Sequence, residues 1–123
     1  MLGVQIALKR VYEEVTDDDG VRVLVDRLWP RGISKGDRRI DEWFKEVAPS
    51  HELRRWFHKH GDFETFAKRY RRELVEGNEA SAALKNLCHL ARSAEKLTLV
   101  FASKDETHNN AVVLQRVLQD ILE

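Results

Sequence analysis

The sequence predicts a three-layer α/β/α fold, with a small, mostly parallel sheet of three or four strands and helices on both faces. Two apolar, β-branched runs carry this prediction, VRVLVD at residues 21–26 and KLTLVFA at residues 96–102. Runs of this kind are typical of parallel strands that are covered on both faces. Segments with helical spacing of apolar residues lie between and after them, as the crossovers of a parallel sheet require.

Length and composition fit one compact domain, taken as residues 1–123. A chain of 123 residues buries enough surface for a core, and 42% hydrophobic with 34% charged residues is ordinary for a soluble protein. The 21 basic and 21 acidic residues balance, so no overall field draws the chain to nucleic acid or to an anionic membrane. Any anion binding is therefore expected to be local.

Cys88 is the only cysteine, so an intramolecular disulfide and a multi-cysteine zinc site are excluded. No apolar run reaches the roughly 20 residues that span a bilayer, and the N-terminus lacks the apolar core of a signal peptide. We therefore expect a cytoplasmic protein with no membrane partner, and the sequence leaves its oligomeric state open.

The first strand is predicted at residues 5–12, followed by an acidic turn, EEVTDDDG, that ends at Gly20. VRVLVD is the predicted central strand. In the next segment, IDEWFKEVAPS, the residues Trp43, Phe44 and Val47 fit either a short helix or a short strand, and both alternatives stay open.

Two helices in the middle of the chain have clear end signals. Ser50 is the predicted N-cap of HELRRWFHKH, which ends at Gly61. Asp62 caps the next helix, which ends at Gly77. Beyond them we predict a third helix at residues 79–92, a buried strand at residues 96–102 and a last helix at residues 109–122.

A basic loop, RLWPRGISKG at residues 27–36, follows the predicted central strand. In open α/β sheets, ligands bind outside the carboxyl ends of the strands. Arg27 and Arg31 supply guanidinium groups whose planar fork matches phosphate or carboxylate. Trp29-Pro30 stiffens the chain and Trp29 shapes the wall, while Gly32 permits a positive φ or a close ligand approach. The alternative for Arg27 is an internal ion pair with an acidic neighbour, either Asp26, Asp41 or Glu42.

A second loop, SKDETHNN at residues 103–110, leads into the last helix. Free N–H groups and the positive end of a helix dipole suit an anion, and Ser103, Lys104 and Asn109 extend that cradle. Capping is the alternative, because Asp105, Thr107 or Asn109 can satisfy the same N–H groups.

His58 is the candidate general acid or base if the protein is an enzyme, and a satisfied surface histidine is the alternative. His51 and His58 lie seven residues apart, two helical turns, which is too far for both to reach one ion, so we predict no metal. The usual dinucleotide and phosphate-loop motifs do not occur in the sequence, and we predict no cofactor.

The combination of KRVY, VLVDRLWPRG, DEWFKEVAPSHELRRWFH and LTLVFASKDETHNNAVVL resembles the DUF488 family, in particular its short, YeaO-like members. The resemblance spans nearly the whole chain and implies a compact α/β domain. The resemblance implies that longer relatives carry Cys-His-Arg at the start of the last helix, whereas this chain has Thr107-His108-Asn109 near there, so no thiol chemistry is transferred to it. The resemblance places family motif positions at Asp26, Arg27, Trp29, Pro30, Arg31, Gly32, Trp43, Lys45, Pro49, Ser50, Leu53, Arg54, Phe57, His58, Lys104 and Asn109.

The leading hypothesis is a domain that binds a small anionic or phosphate-containing ligand in a cationic pocket at the strand ends. Arg27, Arg31, Arg54 and Lys104 would hold the anion, and His58 would act as acid or base if a reaction takes place.

Two alternatives stay open. One is a non-enzymatic regulatory module that binds protein or nucleic acid through two basic surfaces, although the zero net charge disfavours nucleic acid. These surfaces are Arg38 with Arg39, and Arg69 with Arg71 and Arg72. The other is a purely structural network formed by Asp26, Arg27, Trp43 and His58.

Overall fold

The structure, a computed structural model, describes residues 3–123 and contains one four-stranded parallel sheet. The strands are β1 (Gln5–Arg10), β2 (Val21–Leu24), β3 (Glu42–Trp43) and β4 (Lys96–Phe101). Their order in the sheet is β1-β4-β2-β3. Leu99 of β4 lies between Leu8 of β1 and Val23 of β2, so β4 is an interior strand. The predicted parallel α/β sheet is confirmed.

Four α-helices accompany the sheet: α1 (His51–His60), α2 (Phe63–Glu76), α3 (Asn78–Ala94) and α4 (Asn110–Leu122). The predicted end signals act as expected. The Ser50 hydroxyl accepts a bond from the backbone N–H of Leu53 at 3.1 Å, and Gly61 ends α1 at a φ of 67°. The Asp62 carboxylate accepts from the N–H of Thr65 at 3.1 Å. Within residues 3–123, no helix is both long enough and apolar enough to cross a membrane.

The helices pack against one face of the sheet. Buried side chains from α2, α3 and α4 form one continuous core with alternate residues of the strands. Leu97 and Leu99 supply this face of β4, while Phe66 of α2 and Leu114 of α4 lie opposite. Because residues of a strand alternate between faces, the intervening residues point to the other side of the sheet.

The second face is covered by a thinner layer that consists of a 3₁₀ helix, Asp17–Asp19, and the loop at residues 25–41. Leu24 and Val100 pack there against Ile33 and Ile40 of the loop. The three-layer prediction is confirmed, and the layer on this face contains a 3₁₀ turn and loop backbone. The basic loop is therefore part of the fold as well as the edge of a cleft.

Arg22 of β2 is fully buried on the second face. Its guanidinium donates to the Asp19 carboxylate at 2.7 Å and to the backbone carbonyls of Arg39 and Glu13 at 2.8 and 3.0 Å. Lys9 adds a second ion pair to Asp19 at 2.8 Å. A buried charge is tolerated only when it is paired and hydrogen-bonded, and this one is.

The segment IDEWFKEVAPS, for which the sequence left a short helix and a short strand open, contains both. Glu42 and Trp43 pair with β2 as the short edge strand β3, and Lys45–Val47 forms a 3₁₀ helix immediately after it. The four strands run in the same direction, so their carboxyl ends lie at one edge of the sheet.

Candidate functional site

A cleft of about 980 Å³ opens at the carboxyl edge of the sheet. It is bounded by the segments that follow β1, β2 and β4, by the face of α1 and by the start of α4. Of the residues predicted for the site, Arg27, Trp29, Arg31, Arg54, His58, Ser103 and Asn109 line this cleft. The lining residues do not include Gly32 or Lys104.

Arg27 is half-buried in the wall of the cleft. Its guanidinium donates to the backbone carbonyls of Ala48 at 2.9 Å and Pro49 at 3.3 Å. The expected alternative, an ion pair with a neighbouring carboxylate, does not form. Carbonyl oxygens orient the guanidinium without neutralising it, so its positive charge remains available to the cleft.

Arg31 and Arg54 are exposed on different segments and both face the cleft, joined there by Arg55. Among residues 3–123, none of these three, nor Arg27, lies within ion-pair distance of a carboxylate. The arginines that do form ion pairs lie outside the cleft and are Arg22, Arg39, Arg71 and Arg72. The acidic residues that line the cleft are Asp26 and Asp105, so its arginines outnumber its carboxylates.

Trp29 connects the cleft to the small core on the second face of the sheet. Its indole N–H donates to the carbonyl of Ile33 at 2.6 Å, and its ring meets that of Trp43 edge-on at 5.4 Å. The Lys35 ammonium lies 4.6 Å from the Trp29 ring. Gly32, at a φ of 80°, allows the loop to turn here. Gly32 thus contributes to the shape of the loop.

The chain itself caps one N–H group of α4 and orders the loop before it. One oxygen of Asp105 accepts from the N–H groups of Thr107 and His108, both at 3.0 Å. The side chain of Asn109 accepts from the N–H of Val112 at 3.0 Å. The Asn109 contact is the one that the capping alternative describes, whereas the Asp105 contacts lie in the loop before α4. The four arginines are the main cationic feature of the cleft.

Ser103 and Lys104 occupy the same loop in different ways. The Ser103 hydroxyl accepts from the N–H of Asp105 at 3.2 Å and lies at the cleft. Lys104 is exposed and lies outside the lining.

His58 lies on the exposed face of α1 and lines the cleft. His51 and His108 line it as well, from the first turn of α1 and from the loop before α4. The His108 ring packs edge-on against Phe63 at 5.0 Å. Within the described residues, no group of three or more histidine, cysteine or acidic side chains is arranged to hold a metal ion.

Asp26 is the principal cleft residue absent from the predicted site. Its carboxylate accepts from the backbone N–H of Ala102 at 2.8 Å and from the Asn110 amide at 3.2 Å. Burial raises the pKa of Asp26, while these two bonds and the charge of Arg54 oppose that rise. The signal that marks Asp26 in the sequence is its place directly after a buried strand.

Asn110 holds the floor of the cleft together. Its amide donates to the carbonyl of Val25 at 3.0 Å as well as to Asp26. The first turn of α4 is thereby fixed to the end of β2.

The proposed structural network is present only in part. The Trp43 indole donates to the carbonyl of Asp26 at 2.8 Å, so these two residues are linked. Arg27 bonds to backbone carbonyls instead, and His58 is on the surface.

Three of the five arginines on the basic surfaces of the alternative module have a carboxylate neighbour. Arg39 pairs with Asp37 at 2.9 Å, and Arg71 lies 3.4 Å from Asp120. Arg72 lies 3.9 Å from Glu76.

Comparison with known proteins identifies the family. The family model described as "Inactive DUF488-N3 subclade" matches residues 5–123. The chain belongs to the DUF488 family. This DUF488 chain is 43% identical over 119 residues to Uncharacterized protein YeaO of Escherichia coli, covering 96% of this chain and 100% of that protein. The resemblance that the sequence motifs indicate is confirmed.

Mycobacterial relatives extend the comparison. Uncharacterized protein Rv3073c of Mycobacterium tuberculosis and Uncharacterized protein Mb3100c of Mycobacterium bovis are each 44% identical over 115 residues, with 93% of both chains covered. No solved structure matches this DUF488 chain.

Proposed function

We propose that this DUF488 protein binds a small anionic, phosphate-containing ligand in the cleft at the carboxyl ends of its strands. The observation that carries the proposal is the absence of carboxylate partners for the cleft arginines within residues 3–123. Arg22 and Arg39, outside the cleft, have carboxylate partners, whereas four arginines without one among the described residues converge on this single concave surface. A concentration of unpaired guanidinium groups in a concave site favours an anion from solution.

The roles follow from position. Arg31 and Arg54 lie exposed on different segments and would contact the anion first, because no residue among 3–123 accepts a bond from their guanidinium groups. Arg27, oriented by the Ala48 and Pro49 carbonyls, would supply a fixed charge deeper in the wall. Trp29 would form an apolar side of the site. Ser103 and Asn109 would border it near α4.

Binding without a reaction is the form of the proposal that the comparisons favour. The matching family model carries the word "Inactive" in its description. His58 lines the cleft and would contact the ligand. Acid or base catalysis by His58 is the alternative. An interaction module for nucleic acid or protein is less well supported, because ion pairs occupy Arg39, Arg71 and Arg72.

The test is a titration with inorganic phosphate followed by thermal unfolding at constant ionic strength. A ligand that binds only the native state raises stability by about 2.7 kcal/mol when its concentration is 100 times Kd. We expect the unfolding temperature of the wild-type protein to rise with millimolar phosphate, and this rise to be lost in the double variant Arg31→Gln, Arg54→Gln.

The matched control is Arg92→Gln, which removes an exposed arginine from α3, outside the cleft. It is expected to retain the full response. The same rise in all three proteins would assign the effect to general salt stabilisation, and no rise in the wild-type protein would refute anion binding.

A further inference from the structure

Asp26 is a carboxylate placed at the floor of a cleft whose other charges are predominantly positive. Its two bonds, from Ala102 and Asn110, use one acceptor position on each oxygen. An ionised carboxylate offers about four such positions. The Asp26 carboxylate, which lines the cleft, can therefore accept further hydrogen bonds.

The burial of Asp26 is costly for the protein. Among the described residues no lysine or arginine reaches it within ion-pair distance, although four arginines line the same cleft. Burial raises the pKa of this group, which reflects the energetic cost of its charge. A buried charge without a direct counter-charge is uncommon, and perturbed groups in clefts are concentrated at functional sites.

The chain also holds Asp26 rigidly. The Trp43 indole fixes its carbonyl, the Ala102 N–H fixes one carboxylate oxygen, and Asn110 joins the other oxygen to α4. These contacts come from β3, the end of β4 and the start of α4. A polar group oriented from three sides is preorganised for a ligand.

A bare anion satisfies only the arginine end of this arrangement, because it offers no hydrogen-bond donor to Asp26, whose charge repels it. A ligand with both an anionic group and a separate hydrogen-bond donor satisfies both ends of the cleft. The volume of about 980 Å³ also far exceeds that of one phosphate ion and is within the range of small-molecule sites.

We infer that Asp26 is a ligand-contacting acceptor that selects bipolar phosphate compounds, in which a phosphate faces the arginines and an amino group bonds to the Asp26 carboxylate. This inference rests on the proposed function and specifies its ligand class. Both ends of such a molecule form charge-assisted hydrogen bonds, which are the stronger kind.

The test compares two series of probes by isothermal titration calorimetry at one pH and ionic strength. One series is the ω-aminoalkyl phosphates with two to six carbons, and the other is the alkyl phosphates of equal length without the amine. A range of lengths covers the unknown span between the arginines and Asp26. At the best length we expect the amine to tighten binding by about 10- to 100-fold, as a charge-assisted bond allows.

Two variants separate ligand contact from structural support. Asp26→Asn removes the negative charge, and we expect it to abolish the preference for the amine while leaving binding of the alkyl phosphates intact or tighter. Asn110→Ala removes the ties to Asp26 and Val25 but keeps the carboxylate, and we expect it to preserve the preference. If both variants abolish the preference equally, Asp26 acts through the local fold and the inference is overturned.

The outcomes also distinguish this inference from the proposed function. If alkyl phosphates bind and the Arg31 and Arg54 substitutions weaken them, while the amine adds nothing at any length, the anion site stands and the role of Asp26 is refuted. If no phosphate of either series binds, the anion site itself is refuted, and the selection by Asp26 with it.

Discussion

Asp19 and Arg22 form a 2.7 Å ion pair in the interior, between the 3₁₀ helix and the second face of the sheet. Removing one partner of a buried pair leaves the other charge without compensation and costs about 3–5 kcal/mol. We expect Asp19→Asn to lower the free energy of unfolding by about 3 kcal/mol in guanidinium titrations. Asp37→Asn, which breaks the surface pair with Arg39, is the control and should cost far less. Similar losses in both variants would contradict the structural role of the buried pair.

The same pair predicts how stability depends on acid. Burial by itself raises the pKa of Asp19, but hydrogen bonds from Lys9, Thr16 and Arg22 outweigh it and hold the pKa well below its ordinary value of 3.8. The folded protein therefore binds fewer protons at this site than the unfolded chain. Its contribution is fully present above about pH 5 and is lost progressively as the pH falls below about 4.

The measurement is urea unfolding at stepped pH values. The wild-type free energy of unfolding should fall between about pH 4 and pH 2 more steeply than that of Asp19→Asn. Parallel curves for the two proteins would show that Asp19 titrates normally.

Ser50 joins the start of α1 to α2. Its hydroxyl accepts from the N–H of Leu53 at 3.1 Å and donates to the Glu73 carboxylate at 2.6 Å. Ser50→Ala removes both bonds, and the loss of an N-cap alone typically costs about 1 kcal/mol, so we expect a loss of about 1–2 kcal/mol. Ser93→Ala, at an exposed position of α3, should leave the unfolding midpoint unchanged. An unchanged midpoint in Ser50→Ala would show that the cap is not stabilising.

Gly20 precedes β2 at a φ of 66°, and a Cβ there would overlap the backbone carbonyl of Lys96. Gly36 has a φ of 88°, but a Cβ there would meet open space. Gly36→Ala therefore carries the left-handed strain alone, about 1–2 kcal/mol. Gly20→Ala adds a collision between two strands and should destabilise the protein clearly more, measured by thermal unfolding. Equal unfolding temperatures would contradict the close approach of Gly20 to β4.

Much of the fold is encoded in local signals that the sequence displays. Ser50, Gly61 and Asp62 end or begin helices within three or four residues of their own positions, so their effects are readable without tertiary structure. The β-branched runs likewise predict parallel strands. β3 is not readable in this way, because two residues pair with β2 only after the loop before them has folded.

The candidate site was predictable in its location but not in its contacts. The position of the basic loop after a strand indicates the carboxyl edge of the sheet. The partners of Asp26, however, come from residues 76 and 84 positions further along the chain. Arg27 shows the same limit, since its acceptors are carbonyls rather than the acidic side chains nearby in sequence. The pairing of Arg22 with Asp19 was likewise not predicted, because it forms only when the 3₁₀ helix folds against the second face of the sheet.

The central claim is that unpaired arginines make the cleft an anion site. Its most direct test is a crystal soaked in tungstate, whose anomalous scattering locates a bound phosphate-like anion. We predict an anomalous peak in the cleft within hydrogen-bond distance of the guanidinium groups of Arg31 and Arg54. Strong peaks elsewhere on the protein, with none in the cleft, would contradict it.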